Sequence, residues 1–419
     1  MFGKIKELRG DELVRGSIVL FIMMNIFNFL NYVYQFIMAR FLVPVDYGLF
    51  AVLMAVVYVF TVPNEAIQTL VSKITSALNP KQEFGKMKFI FYKTIKKCLK
   101  TAAICFVLFI PIAVFLSYFL PGVTFYSLMF TGLVLFGVFT LPVIRGVLQG
   151  RKKFKKLGWS MIFEGVFKLI FAIVMVLVGF RIYGAIGGVI IGIIFSFVIS
   201  LLYIKEVLKA KEEKTSTEHI HAYSTPIIFS IFVIMVMLSL DVIFVKRFFS
   251  PEIAGKYAVI SLLGKIIFFG TSAIGKAMFP LASEGSESGN DTSRVFRRSL
   301  KMVAGLSGIV LLIYLVFPKL VISVLFGSIY SSSSSILLVV ALAFTCLSFS
   351  NLILLYALSV NKIKRAYSLG IFIIIEILLL VFFNSSLMQF SLAFLASNFL
   401  MLLYSIFLLR KKKENKETK

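Results

Sequence analysis

Apolar runs as long as a lipid bilayer is thick recur along this whole chain, and they leave few folds open to it. A helix needs about 20 residues to cross the hydrocarbon, where every backbone N–H and C=O must be satisfied within the segment. Twelve such runs are expected, near residues 17–39, 47–70, 99–120, 124–147, 157–179, 182–204, 224–245, 255–279, 301–318, 333–357, 366–383 and 387–409. The fold class is therefore all-α and polytopic. Of the 419 residues 59% are hydrophobic and only 15% charged, a balance that rules out an ordinary water-soluble domain.

A net charge of +25 would suggest nucleic acid if the chain were soluble, but the positions of the cations point elsewhere. With the N-terminus inside, 35 of the 44 Lys and Arg fall in cytoplasmic segments, six in outer loops, and Lys168, Lys265 and Lys276 within spans. This asymmetry follows the positive-inside rule and places both termini in the cytoplasm. The expected location is the cell membrane, with membrane lipids as partners and no nucleic acid. The first apolar run is too long for a signal-peptide core and no small-residue cleavage site follows it, so it is expected to remain as span one. Cys98, Cys105 and Cys346 lack redox or metal spacing, and His219 and His221 read as a solvated loop; no cofactor is expected beyond a coupling Na⁺ or H⁺.

One short motif needs separate treatment. Residues 270–280, GTSAIGKAMFP, keep the G-x-x-x-x-G-K of a phosphate-binding loop but place Ala277 where the Ser or Thr that holds Mg²⁺ belongs. Upstream lies unbroken apolar sequence with no turn, so the motif is expected inside a helix, and Lys276 requires another explanation.

The chain also repeats itself. RFLVPVDYGLFAV from Arg40 and RFFSPEIAGKYAV from Arg247 align at a constant offset of 207 residues, half the chain length. Two six-span halves, 1–204 and 223–419, are expected, joined by a polar cytoplasmic linker at 205–222 and enclosing a central cavity between them. In each repeated loop the Pro (44, 251) is expected to stop one helix, the Gly (48, 255) to relieve the turn, and the following aromatic to sit at the interface.

ARFLVPVDYGLF (39–50), LPVIRGVLQGRKKFKKLG (141–158), YGAIGGVIIGIIFSFVISLLY (183–203) and LDVIFVKRFFSPEIAGKYAV (240–259), in that order and spacing, resemble the polysaccharide-biosynthesis flippases of the O-antigen type. These belong to the multidrug/oligosaccharidyl-lipid/polysaccharide exporter superfamily, and the resemblance spans most of the first nine runs. It implies a non-enzymatic transporter that moves a polyprenyl-phosphate- or pyrophosphate-linked oligosaccharide across the membrane, with polysaccharide-assembly proteins as candidate partners. The chain departs from some relatives in having Asn and Gln instead of Arg in mid-span one, so phosphate binding would rest on span eight.

Ionisable groups within spans are functional candidates by default. Lys265 and Lys276 lie about 20° apart on one helical face and roughly 16 Å along it, with Ser272 beside them. They suit a lipid phosphate, although a Lys paired with Asp241 or Glu65 for packing is the alternative. Asn25, Asn28 and Gln35 in span one and Asn64 and Gln68 in span two form polar faces expected to line the cavity. Arg40, Arg145 and Arg247 at span ends are head-group or interfacial-anchor candidates. Asp241 and Glu65 are candidates for ion or proton coupling, and Glu164 and Lys168, at i,i+4, for coupling or mutual neutralisation. Glu376 has no evident partner. Gly184, Gly188, Gly192, Ser196 and Ser200 predict a close-packing helix face. Phe84, Met87, Phe91 and Ile95 opposite Lys86, Lys93, Lys97 and Lys100 predict a segment lying on the inner leaflet. The competing functions are a cation-coupled multidrug exporter, which favours a cavity of acids and aromatics, and a membrane glycosyltransferase, which needs large acid-bearing outer loops that are missing here.

Overall fold

The structure is a computed structural model that describes residues 12–215, 225–287, 291–360 and 366–410. All regular elements among them are helical. Nine helical segments among the described residues are long and apolar enough to cross a membrane. One of these, Phe154–Tyr203, contains two crossings, and Glu12–Phe41 and the shorter Tyr367–Phe382 complete the twelve expected.

The chain divides into two compact units, Met1–Ala222 and Tyr223–Lys419. In the first, span one is α1 (Glu12–Phe41). Span two is α2 (Pro44–Phe60) continued by α3 (Val62–Leu78), and span three is α4 (Phe84–Phe119). Span four is α5 (Phe125–Gly132) continued by α6 (Val134–Gly150). Spans five and six are α7 (Phe154–Met175) and α8 (Arg181–Tyr203), and a short α9 (Lys205–Lys209) follows. In the second unit the six are α10 (Thr225–Phe248), α11 (Pro251–Glu287), α12 (Ser293–Val316), then, after α13 (Pro318–Phe326) and a 3₁₀ segment at Ser328–Ile336, α14 (Leu337–Ser359), α15 (Ile371–Phe382) and α16 (Leu387–Arg410). The serine run 331–335 falls in that 3₁₀ segment.

Within each unit the same spans touch: first on fifth, second on fourth, third on fourth, fourth on sixth and fifth on sixth. The duplication seen in the loops thus extends to the packing. Pro44 and Pro251 do not end the preceding helices, which already stop at Phe41 and Phe248; each is the first residue of the next helix, where a missing N–H costs nothing. Gly48 and Gly255 are buried inside those helices, and the matching aromatics Phe50 and Tyr257 are fully buried core residues, not interfacial anchors.

The α7–α8 hairpin shows what the small residues do. A Cβ on Gly184 would meet Met175, one on Gly188 would come within 2.5 Å of the Ala172 Cβ, and one on Gly192 within 2.8 Å of the Lys168 Cβ. The falling partner numbers define an antiparallel pair in backbone contact. Gly179, at φ 103°, makes the reversal, a conformation open to glycine and costly for other residues. Farther along, the Ser160 hydroxyl shares hydrogen bonds with Ser196 at 3.0 Å and Ser200 at 2.6 Å, so the close face becomes a polar clasp.

At 36 residues, α4 is about 54 Å long against a hydrocarbon core of about 30 Å, so its lysine-rich N-terminal turns project beyond the membrane. Their apolar face is not spread on lipid. Met87, Ile90 and Phe91 are buried, and Phe91 packs with Val71, Leu157 and Ile204 of the same unit. Covering apolar area with protein gives the contact shape that a leaflet surface lacks. The start of the linker is fastened to the same turns: Lys88 Nζ donates to Ala210 O at 3.0 Å and the Glu213 N–H to Gly85 O at 3.2 Å. Arg151 and Lys153 both hold Glu206, at 2.6 and 2.9 Å.

Candidate functional site

Each unit buries a group of ionisable side chains between its own helices. In the first unit Arg145, near the C-terminal end of α6, is 7% exposed. Its Nη2 donates to Glu164 Oε2 at 2.5 Å and to Ser196 Oγ at 3.1 Å, and its guanidinium stands 5.9 Å from the Phe27 ring. A buried guanidinium must be paired, and the acid on the facing helix supplies the pairing. The structure thus places Arg145 on Glu164 and Ser196 inside the unit, and Glu164 takes its hydrogen bond from Arg145, not from Lys168. Lys168, also 7% exposed, donates to the side chain of Asn31 on α1 and lies over the Tyr34 ring at 4.6 Å. The Tyr34 hydroxyl in turn donates to Ala185 O at 2.8 Å.

In the second unit Asp241 on α10 is fully buried, accepts a hydrogen bond from Ser261 Oγ at 2.5 Å and lies 3.7 Å from Lys265 Nζ. Lys265, 5% exposed, is therefore the packing partner of Asp241, the alternative that the sequence left open. The phosphate-loop motif runs through the middle of α11, with no strand before it. Glu376 of α15, which the sequence could not place, is fully buried and accepts from Ser397 Oγ at 3.2 Å.

The remaining candidates are more dispersed. Lys276 is exposed on α11 and Ser272, half-buried, bonds its own helix at Phe269 O, 2.8 Å away. Lys265 and Lys276 thus share a stripe but not an environment. Asn25 and Asn28 are exposed on α1, and Gln35 and Asn64 are half-buried. Gln68 spends its amide on Gln149 Oε1 at 2.8 Å, tying span two to span four within the unit. Arg40 and Arg247 are exposed at matching helix ends. The side chain of Glu65, and His219 and His221, lie outside the described residues. Asn31 and Ser160 were missed from sequence because what singles them out, a bond to Lys168 for one and to Ser196 and Ser200 for the other, comes from other helices.

The sequence matches the polysaccharide biosynthesis protein family over residues 37–335. The chain belongs to that family. Among proteins of curated function none matches it in sequence. Among solved structures it is similar to an inward-facing conformation of a multidrug resistance MATE family transporter of the MOP superfamily, with a TM-score of 0.73 at 12% identity, covering 96% of this chain and 99% of that one. An outward-facing conformation of a multidrug resistance MATE family transporter matches with a TM-score of 0.64 at 14% identity, covering 98% of each chain. A eukaryotic MATE transporter matches at 0.62 and 12%, covering 97% and 99%. At these identities the likeness is one of fold. This polysaccharide-biosynthesis family member is thus a multi-pass, all-helical membrane protein whose fold is that of the MATE transporters.

Proposed function

We propose that the protein moves a polyprenyl-phosphate- or pyrophosphate-linked oligosaccharide across the cell membrane by alternating access of its two halves, driven by a Na⁺ or H⁺ gradient, with both termini in the cytoplasm. The observation that carries this reading is membership of a polysaccharide-biosynthesis family on a fold whose solved examples are transporters. Within it Lys276, an exposed cation of span eight, is the residue assigned to the lipid phosphate. An ammonium is a compact point charge that suits a phosphate oxygen, and the amides of Asn25 and Asn28 suit sugar hydroxyls. The solved relatives by fold favour one rival, a cation-coupled multidrug exporter.

The test is transbilayer movement of a fluorescent polyprenyl-pyrophosphate oligosaccharide in proteoliposomes. Wild type is expected to move the lipid and the folded Lys276→Ala protein to move it at least tenfold more slowly. A wild type that leaves the lipid in place but extrudes cationic dyes down an ion gradient supports the exporter instead.

A further inference from the structure

A groove of about 320 Å³ runs between spans four and six of the first unit. Its walls include Leu133, Phe136 and Thr140 on span four and Ile190, Ile194 and Val198 on α8. Gly137 forms the floor: a Cβ there would come within 2.4 Å of Ile193 Cγ2, so the two helices are nearly in contact at that point. Thr140, the polar residue of the lining, spends its hydroxyl on Phe136 O at 2.6 Å, and no charged residue lines the groove. Leu133, Ile194 and Val198 on the rim are exposed, and exposed apolar side chains of this kind on spanning helices meet lipid tails.

Position along the helices narrows the choice of chain. Span four, from Phe125 to Gly150, and α8, from Arg181 to Tyr203, have their midpoints near Gly137 and Gly192. Both fall within the stretches that line the groove, which therefore lies across the middle of the bilayer. A phospholipid tail reaches about 15 Å, half of a hydrocarbon core of about 30 Å, and ends near that plane. From Ile190 to Lys205, at the start of α9, the helix rises about 22 Å. A tail whose head rests at Lys205 must therefore be longer than a leaflet is deep if it is to fill the groove. The charge at that end suits an anionic head. Ile194, Val198 and Lys205 fall within about 40° of one another round the helix, and Lys209 lies one turn farther along; both lysines are exposed. Glu206 between them does not cancel them, because Arg151 and Lys153 hold its carboxylate at 2.6 and 2.9 Å.

We propose that this groove holds the polyprenyl chain of the lipid-linked substrate, its phosphate resting on Lys205 and Lys209 before transfer. Three features carry the assignment together: an apolar wall whose hydroxyl is already spent, a place at the bilayer midplane that a chain must exceed one leaflet to fill, and two exposed ammoniums on the stripe where the head emerges. Lipid tails cover apolar surface everywhere in a membrane, so the preference for this chain comes from its length and its packing against the wall, while the lysines attract the head. A cationic drug finds no carboxylate in the groove. The proposal rests on the flippase reading for the identity of the lipid, and it leaves Lys276 its role during transfer.

The test is photo-crosslinking from the groove itself. The full chain carrying Val198→benzoylphenylalanine, in nanodiscs of phosphatidylethanolamine and phosphatidylglycerol with a long-chain polyprenyl pyrophosphate, is expected to yield a polyprenyl adduct identified by its mass. The same photoreactive residue in place of Val174, exposed on span five, is expected to yield phospholipid adducts. Lys205→Gln combined with Lys209→Gln is expected to lower the polyprenyl adduct at position 198 about tenfold. Farnesyl pyrophosphate, whose chain is no longer than a leaflet is deep, is expected to compete about tenfold less well than the long-chain lipid. If the variant at position 198 does not fold, Ile194 on the same rim takes the photoreactive residue. A phospholipid adduct alone overturns the proposal, as does a covalent dimer, an equal polyprenyl adduct at position 174, or an adduct indifferent to the lysine pair or to chain length. A protein that takes the polyprenyl adduct yet moves no lipid refutes the flippase reading alone, and one that moves the lipid without the adduct refutes the groove alone.

Discussion

The Arg145–Glu164 pair offers the sharpest test of how the first unit is held together, because its two single mutants are expected to differ. Side-chain exposures of 9% and 14% place the pair in the interior, where removal of one partner costs about 3–5 kcal/mol through the charge left behind. Glu164→Met leaves Arg145 with Ser196 Oγ at 3.1 Å and an Nε that already has no partner, so the full cost of about 3–5 kcal/mol is expected. Arg145→Met leaves Glu164 within the field of Lys168, one turn away, and the expected cost falls to about 1–3 kcal/mol. The double variant strands neither Arg145 nor Glu164, and its loss is expected to fall short of the sum of the singles by about 2 kcal/mol. Denaturant unfolding in mixed micelles can be followed through Trp159, the only tryptophan of the chain, which lies on α7 beside Ser160, 5.6 Å from the Phe163 ring. Equal singles that add to within about 0.5 kcal/mol would refute the buried-pair account.

Three further outcomes follow from the packing and the linker. Gly188→Val is expected to destabilise the α7–α8 hairpin by about 1–3 kcal/mol, because the new Cβ lies 2.5 Å from the Ala172 Cβ and 2.7 Å from backbone atoms that cannot yield; an unchanged unfolding midpoint would contradict that contact. Gly85→Val is expected to release the linker, its Cβ meeting Lys211 O at 2.3 Å, and a spin label at Lys214 should gain mobility while the core unfolding midpoint holds. Hydrogen bonds from Arg151 and then Lys153 hold the Glu206 carboxyl down at about 2. A depressed acid stabilises fully above its unfolded value of about 4.3 and loses that stabilisation as pH falls towards 2, so the same label is expected to stay ordered from pH 8 to 5 and to loosen only below about pH 4. In Glu206→Gln it should be looser throughout, and mobility that changes between pH 8 and 5 in wild type would rule out this anchor.

Much of the fold was legible because the bilayer imposes a one-dimensional rule. A segment that must satisfy its own backbone in lipid shows its length in the sequence; the spans and the duplication at an offset of 207 were readable in this way. The close-packing stripe from Gly184 to Ser200 was equally plain, since only small residues at every fourth position let two backbones touch. Partners were a different matter. Helical periodicity places Lys265 and Lys276 on one stripe, but it cannot say that α10 brings Asp241 against the first and leaves the second exposed. Glu164 has a lysine one turn away in sequence, yet its bond goes to Arg145 on another helix. Glu376 had no partner within its own span, and its hydrogen bond comes from Ser397 on the next helix. Hydrophobic length is a property of a segment, so the sequence determined it alone; the pairing of a buried charge depends on which helices meet, and that was decided only when they packed.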